Sequence, residues 1–219
     1  MYFKNNHTLT KEIYIIRHGE TELNKLRIIQ GSGIDSSLNE KGRSQARAFY
    51  DFYKAEDFQF VYTSALKRTV QSVQDFLLEG IPYRSLSDIN EISWGIHEGQ
   101  SPNPVLTNSY LEVVKKWDAE DYDAALPQAE SPRELSDRLR RFVDELLANP
   151  AEKLLVCSHG RAIRCLMTIL HDEPLKMMEQ YDHSNTGLFK VLYKNGRFAS
   201  LTLNNTDHLH TEELRSMVW

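Results

Sequence analysis

A cation and an imidazole stand at the end of an apolar run near the start of the chain. Residues 13–20 read IYIIRHGE, so Arg17 and His18 directly follow four apolar residues, three of which are isoleucine. An uninterrupted apolar run of this kind is typical of a strand that is covered on both faces. Because the functional crevice of an open α/β sheet lies beyond the carboxyl ends of its strands, we expect Arg17 and His18 to lie in a functional site.

The same arrangement occurs twice more along the chain. Residues 154–160 read LLVCSHG, an apolar run that again ends in a histidine, His159, followed by glycine. Residues 60–63 are a third predicted strand, with Ser64 as N-cap and Arg68 just past the first turn of the following helix. Three strand ends at one edge of a sheet would bring together four candidate site residues: Arg17, His18, Arg68 and His159.

The remaining sequence alternates predicted strands and helices. This order indicates an α/β protein with three α/β/α layers around a mostly parallel central sheet. Residues 131–134 read SPRE, a capping box with proline at the first helical position, which predicts the start of a helix. An Asn-Gly pair at 195–196 joins two predicted strands, 187–193 and 198–203, and predicts an antiparallel edge strand. Residues 98–130 are expected to form a helical lid insertion.

Composition limits the classes of protein to consider. A chain of 219 residues is long enough for one sizeable α/β domain, 1–219, and too short for two ordinary ones. A net charge of −5 without a long basic cluster argues against a nucleic-acid partner. No apolar stretch reaches membrane-spanning length, and the N-terminus has no apolar signal core. With only Cys157 and Cys165, a disulfide framework is not expected and a cytoplasmic location is favoured.

Taken together, the motifs resemble those of the histidine phosphatase superfamily, also called the phosphoglycerate mutase-like family. The similarity runs in order over nearly the whole chain. It rests on RHGETELN (17–24), QG (30–31), SALKRTVQS (64–72), NEISWGIHEG (90–99), SHG (158–160) and NTDHL (205–209), the last being common in the phosphatase branch. The resemblance implies phosphoryl transfer without a metal or other cofactor. It leaves open a monomer or a homodimer and the role of the tail after Leu209.

The resemblance also implies roles for individual residues. His18 would attack phosphorus as a neutral imidazole and form a phosphohistidine, with its other ring nitrogen donating to a backbone carbonyl. Glu91 would protonate the leaving alkoxide, and Glu98 is a weaker second candidate for this acid. Guanidinium groups match phosphate oxygens in pairs, and amide donors add to them. His183 and His208 are expected at the surface or in hydrogen bonds. The expected phosphate- and substrate-binding residues are Arg17, Asn24, Gln30, Gly31, Arg68, His159 and Gly160.

Two other phosphate chemistries fit the sequence less well. Cys157 and Arg164 suggest a cysteine-dependent phosphatase, but six residues separate them where that motif has five. A zinc site built from His18, His159 and Cys157 has no recognisable ligand spacing. Neither a P-loop nor a Rossmann fingerprint is present.

A phosphatase and a mutase of this family share their first half-reaction, so the catalytic motifs do not distinguish them. The charge of the predicted lid does. Residues 100–130 contain six acids against two lysines, which suits the polyanionic intermediate of a mutase poorly. Trp94, Tyr110 and Trp117 are candidates for an aromatic wall that suits a less charged leaving group. The sequence therefore predicts a metal-independent phosphomonoesterase of small phosphorylated metabolites. A cofactor-dependent phosphoglycerate mutase, a sugar bisphosphatase of the same family and a non-catalytic phosphate-binding protein are the alternatives.

Overall fold

Six strands form one mixed sheet in the described part of the chain. The computed structural model describes residues 9–211 and 213–215; most of the N-terminal segment judged free of a signal core lies outside them. The strands are β1 (Thr10–Arg17), β2 (Phe60–Ser64), β3 (Tyr83–Leu86), β4 (Lys153–Ser158), β5 (Leu188–Lys194) and β6 (Arg197–Asn205). The α-helices are α1 (Glu22–Lys25), α2 (Glu40–Tyr53), α3 (Lys67–Ser72), α4 (Gln74–Leu78), α5 (Pro104–Asp118), α6 (Pro132–Ala148) and α7 (Gly160–Leu170).

The strand order is β3-β2-β4-β1-β5-β6. The pairs β1–β4, β2–β4 and β2–β3 are parallel, whereas β1–β5 and β5–β6 are antiparallel. The mostly parallel sheet with an antiparallel edge is therefore confirmed, and that edge contains two strands. Because β1, β2 and β4 run in the same direction, their carboxyl ends meet at one edge of the sheet, as the sequence predicts for Arg17, Arg68 and His159.

Strand β1 is covered on both faces. Ile13 and Ile15 belong to the larger buried cluster with α6 and α7, and Tyr14 and Ile16 belong to a second cluster with α2 and α4. None of these four side chains is more than 1% exposed. Helices on both faces give the predicted α/β/α layers, with β1 at the centre of both cores.

Local signals placed several elements correctly. Ser131 and Glu134 form the predicted capping box at the start of α6. Asn195 and Gly196 have φ angles of 55° and 77°, which is the conformation that a two-residue hairpin turn requires. Helix α5 occupies the predicted insertion and buries Trp117 against the larger cluster. Within the described residues, no helix is both long and apolar enough to cross a bilayer.

Two details differ from the sequence-based expectation. Ser64 is the last residue of β2 and not a helix N-cap; that position is taken by Leu66, which makes no side-chain cap. Arg68 consequently lies within the first turn of α3. Strand β3 was not predicted, because three of its four side chains are exposed and give no apolar signal.

Candidate active site

His18 follows β1, and the surrounding backbone fixes its position. Its backbone N–H donates to the Ser158 carbonyl at 3.0 Å, and the Asn185 amide donates to its carbonyl at 2.9 Å. The ring Nδ1 lies 2.7 Å from the carbonyl oxygen of Gly19. A carbonyl can only accept, so Nδ1 carries the proton and Nε2 carries the lone pair. This is the contact expected for a nucleophilic imidazole.

The surroundings of His18 favour the neutral ring. Its side chain is buried, and burial together with the charges of Arg68 and Arg17 holds the pKa of His18 well below its ordinary value. Both effects disfavour a second proton, because burial penalises charge and nearby cations repel it. The imidazole is therefore neutral at neutral pH and keeps a lone pair on Nε2.

The loop after His18 packs tightly against α2 and α3. The Gly19 N–H donates to the Ser72 hydroxyl at 2.9 Å, and the Glu20 N–H donates to Oε1 of Gln45 at 2.8 Å. A Cβ atom on Gly42 would lie 2.0 Å from the Glu20 carbonyl oxygen, so only glycine allows this approach. The loop can move little while these contacts persist.

Arg17 is buried beside a histidine that sequence reasoning did not assign to the site. Its Nη1 donates to Nδ1 of His183 at 3.3 Å. Burial lowers the pKa of Arg17 to about 10, opposed by the negative charge of Glu91, so the guanidinium stays charged at neutral pH. A Cβ atom on Gly160 would lie 2.6 Å from the His183 ring, so this glycine makes room for the partner of Arg17.

Arg68 and His159 are joined to each other behind His18. Nε of Arg68 donates to Nδ1 of His159 at 3.2 Å, and Nε2 of His159 lies 2.7 Å from the Ser64 hydroxyl. Arg68 also donates to the carbonyls of Ile34, at 2.6 Å, and Gly31, at 3.2 Å. Both ring nitrogens of His159 thus have protein partners. In this structure His159 orients Arg68. Its role as a donor to phosphate stays a prediction.

Glu91 caps helix α7. Its Oε1 accepts from the N–H groups of Ile92, at 2.9 Å, and Ala162, at 3.0 Å, and its Oε2 accepts from Arg161 N–H at 3.2 Å. A carboxylate is a favoured partner for the free N–H groups and positive dipole end of a helix. The carboxyl group is thereby held next to the helix that follows His159.

One cavity, of about 320 Å³, brings the main chemical groups together. Asn24 lies in α1, where its Oδ1 accepts from the Thr21 N–H, and Gln30 donates to the Thr21 hydroxyl at 2.7 Å. Gly31, Arg68, His159 and Gly160 are not among the residues that line this cavity. The cavity is lined by Arg17, His18, Asn24, Ile29, Gln30, Glu91, Trp94 and Tyr110.

Glu98 does not line the cavity. Its Oε1 accepts from the Trp94 N–H at 2.9 Å, and a Cβ atom on Gly31 would lie 2.0 Å from the same oxygen. The carboxylate therefore connects the loop containing Trp94 to the loop containing Gly31. This position suits a structural role better than the role of second candidate acid.

The geometry argues against a cysteine nucleophile. Cys157 is fully buried in the α2-side cluster, and burial raises the pKa of its thiol. Arg164 pairs with Glu179. In the described residues, no group of three His, Cys, Asp or Glu side chains is placed to hold a metal ion.

A cluster of Arg161, Tyr110 and Glu179 was not predicted from the sequence. Arg161, in the first turn of α7, donates to the Tyr110 hydroxyl at 2.8 Å and pairs with Glu179. Only Tyr110 was identified from the sequence, as an aromatic wall residue. Arg161 directly follows the SHG motif and was given no role, and Glu179 lies in a 3-10 helix, Leu175–Gln180, for which no sequence signal was found.

Comparison with known proteins identifies the family of this chain. The model of the histidine phosphatase superfamily, branch 1, matches residues 13–206. The chain belongs to the histidine phosphatase superfamily. Solved structures share the fold: Bacillus stearothermophilus YhfR has a TM-score of 0.79 at 24% identity, covering 90% of this chain and 98% of that one. The alpha-ribazole phosphatase of Shigella flexneri has a TM-score of 0.78 at 22% identity, covering 89% and 96%.

The superfamily member is also similar to curated bifunctional proteins. It is 32% identical over 193 residues to human 6-phosphofructo-2-kinase/fructose-2,6-bisphosphatase 4, covering 87% of this chain and 39% of the relative. Identity to human isoform 1 is 33% over 175 residues, covering 78% of this chain and 35% of the relative. The chain thus spans less than half the length of these relatives, and the match concerns only a part of each.

Proposed function

We propose that this chain is a metal-independent phosphomonoesterase of the histidine acid phosphatase type, which hydrolyses small phosphorylated metabolites through a phosphohistidine. The observation that carries the proposal is the single cavity that contains neutral His18, cationic Arg17 and the carboxyl group of Glu91. These groups are a nucleophile, a partner for the phosphate dianion and a proton donor, which together suffice for ester hydrolysis.

In the first half-reaction, the Nε2 lone pair of His18 attacks phosphorus in line with the ester oxygen. The new N–P bond forms as the P–O ester bond breaks, and the bonding pair leaves with the alkoxide. The phosphate dianion that binds beside Glu91 favours the protonated form of its carboxyl group, because like charges repel each other. Glu91 gives this proton to the leaving oxygen, so the product is a neutral alcohol. The Gly19 carbonyl stabilises the Nδ1–H while positive charge develops on the ring.

In the second half-reaction, water attacks the phosphohistidine. Glu91, now a carboxylate, accepts one proton from the water as the new P–O bond forms and the N–P bond breaks. Inorganic phosphate leaves, and the ring of His18 regains its lone pair on Nε2. The same carboxyl group therefore acts first as acid and then as base, and the enzyme returns to its starting state.

The two arginines supply the positive charge that a metal ion would otherwise supply. Arg17 lines the cavity directly, whereas Arg68 contributes its charge from behind His18. The Nη atoms of Arg68 are held by the neutral carbonyls of Gly31 and Ile34. Because hydrogen bonds to a charged acceptor are about twice as strong as neutral ones, a phosphate dianion would compete well for these donors.

A sugar bisphosphatase is the second candidate within the same chemistry. It is supported by the fructose-2,6-bisphosphatase activity in the names of the curated relatives. The acidic character of residues 100–130 favours a monoesterase over both a bisphosphatase and a mutase. A non-catalytic binding protein would need neither a nucleophile nor an acid.

We place the proposed enzyme in the cytoplasm, since both cysteines are free. The single domain and a monomeric or homodimeric state stay predictions.

The test is hydrolysis of para-nitrophenyl phosphate and of an alkyl phosphomonoester in the presence of EDTA. We expect wild-type turnover of both esters and none by His18→Ala. Glu91→Gln should retain most turnover of the aryl ester, whose leaving group needs little protonation, and lose that of the alkyl ester. Turnover that EDTA abolishes, or that survives His18→Ala, would contradict the proposal. An unchanged alkyl-ester rate in Glu91→Gln would remove Glu91 from its role.

A further inference from the structure

The wall of the cavity next to Glu91 is aromatic. Trp94 and Tyr110 both line the cavity, and their ring centroids lie 5.5 Å apart. Ile29 is the third apolar lining residue. Among the described residues that line this cavity, Arg17 is the only cation, and it directly precedes His18 in the sequence. The lining therefore offers one charged end for phosphate and one uncharged, ring-shaped end for the rest of the substrate.

A buried arginine supports this aromatic wall from behind. The side chain of Arg161 is 7% exposed, and its guanidinium carbon lies 5.8 Å from the Trp94 ring and 5.4 Å from the Trp117 ring. Its Nη2 donates to the Tyr110 hydroxyl at 2.8 Å. Attraction between a guanidinium and aromatic faces holds the rings in place without exposing the charge.

The direction of the hydrogen bond between Arg161 and Tyr110 determines whether the Tyr110 hydroxyl can donate to a substrate. Arginine has donors only, so the Tyr110 oxygen accepts from Arg161. The O–H proton of Tyr110 therefore remains available to an acceptor, and Tyr110 lines the cavity. A phenol whose oxygen already accepts from a cation is a stronger donor, because hydrogen bonds in a chain polarise one another.

The charge of Arg161 is not offered to a second phosphate. Glu179 pairs with both Arg161 and Arg164, and both arginine side chains are less than 10% exposed. A carboxylate that bridges the two cations lowers the net charge that a second anionic group would meet. An uncharged leaving group is consequently the better fit for this end of the cavity.

We propose that Trp94 and Tyr110 form a leaving-group subsite for uncharged, ring-bearing alcohols, and that the Tyr110 hydroxyl donates to an acceptor atom on that ring. Arg161 is a positioning residue, which fixes the direction of the Tyr110 hydroxyl and does not touch the substrate. This assignment rests on the proposed phosphomonoesterase function and names its substrate class.

For each substrate, the kcat/KM of a variant is divided by that of the wild type. Differences in intrinsic reactivity between the esters therefore cancel. The ring-bearing substrates with acceptors are nucleoside 5′-monophosphates, pyridoxal 5′-phosphate and para-nitrophenyl phosphate. Phenyl phosphate is the reference without a ring acceptor, glycerol 2-phosphate lacks a ring, and fructose 1,6-bisphosphate carries a second phosphate. Tyr110→Phe removes the hydroxyl alone. Arg161→Met removes its support, while Glu179 keeps its pair with Arg164, and a thermal melt confirms that both variants fold.

We expect Tyr110→Phe to lower kcat/KM about tenfold for at least one ring-bearing substrate with an acceptor, and to leave phenyl phosphate within about twofold. Arg161→Met should reproduce that selective loss, and the double variant should lose no more than either single one, since both act through one hydroxyl. Equal losses on all substrates, no loss on any, additive losses, or a loss confined to the bisphosphate would each overturn the subsite.

Failure of the subsite is distinguishable from failure of the function. If wild type hydrolyses phenyl phosphate by way of His18 but none of the selective losses appears, only the subsite is wrong. If wild type hydrolyses no monoester in the panel, the proposed function itself is wrong, and the subsite falls with it.

Discussion

Nε of Arg68 donates a hydrogen bond to Nδ1 of His159 at 3.2 Å. Since the arginine can only donate, His159 carries its proton on Nε2, which lies 2.7 Å from the Ser64 hydroxyl. A histidine that the sequence places at a phosphate site is therefore the orienting partner of an arginine. The positive charge of Arg68 acts on His18 from a position that His159 and Ser64 determine.

This relationship predicts different effects for two amide substitutions of His159. The side-chain oxygen of asparagine can occupy the place of Nδ1 and accept from Arg68, whereas glutamine reaches the place of Nε2. We expect His159→Gln to lower kcat/KM about a hundredfold, the usual cost of losing one positioned donor. His159→Asn should lose about tenfold less.

The measurement is kcat/KM of both variants with one phosphomonoester, together with their thermal melts. The two variants are matched controls for each other, because both place a neutral amide in the same buried position. The reverse order, with glutamine the more active variant, would mean that Nε2 contacts the phosphate directly and that the Arg68 contact matters little.

Buried His208 gives the protein a pH-dependent stability. Burial lowers the pKa of His208 to about 4, whereas the unfolded chain has its ordinary value near 6.5. Below about pH 6.5 the unfolded state therefore binds a proton that the folded state does not, and the free energy of unfolding falls as the pH falls. This residue contributes at most about 1.4 kcal/mol per pH unit, and its contribution to the decline ends near the folded pKa.

Urea unfolding at pH 7, 6 and 5 measures this effect. In His208→Gln the amide keeps a hydrogen-bonding atom for the Thr186 hydroxyl, which now contacts Nε2 at 2.9 Å, but has no group that titrates. We expect the decline between pH 7 and 5 to be shallower in this variant than in wild type. Parallel declines in the two proteins would show that His208 does not carry the effect.

Gly160 makes room for the partner of Arg17. A Cβ atom there would lie 2.6 Å from the buried ring of His183, so the ring must shift if a side chain is added. We therefore expect Gly160→Ala to displace His183 from Arg17 and to lower kcat/KM about tenfold or more, with the fold retained. Gly80→Asn is the control, since a Cβ there has nothing within 4 Å and asparagine tolerates its positive φ.

Activity measurements and thermal melts of both glycine variants test this prediction. A Gly160→Ala enzyme as active as Gly80→Asn would mean that the contact between Arg17 and His183 does not matter for phosphate binding. A large drop in melting temperature for Gly160→Ala alone would assign the glycine to stability instead.

The sequence predicted the fold because the decisive signals are local. The apolar runs before Arg17 and His159, the SPRE capping box and the Asn-Gly turn each specify an element from a few consecutive residues. Strand β3 lacked such a signal, since its exposed side chains depend on pairing with β2 for their structure.

The site was predictable only in part for a related reason. The strand ends that place His18 and Arg17 can be read from the sequence, but their contacts come from distant segments. His183, the partner of Arg17, is 166 residues away, and Glu91 caps a helix that begins about 70 residues later. Which ring nitrogen of His159 faces Arg68 depends on packing, and no local pattern encodes it.

The most direct test of the account is to trap the covalent intermediate. Wild type and His18→Ala are mixed with a phosphomonoester, quenched in alkali within milliseconds, digested and analysed by mass spectrometry. We expect a phosphate on Nε2 of His18 in wild type that survives alkali and is lost in acid, and no phosphorylated peptide in His18→Ala. Rapid turnover with no phosphate on His18, or with phosphate on another residue, would contradict it.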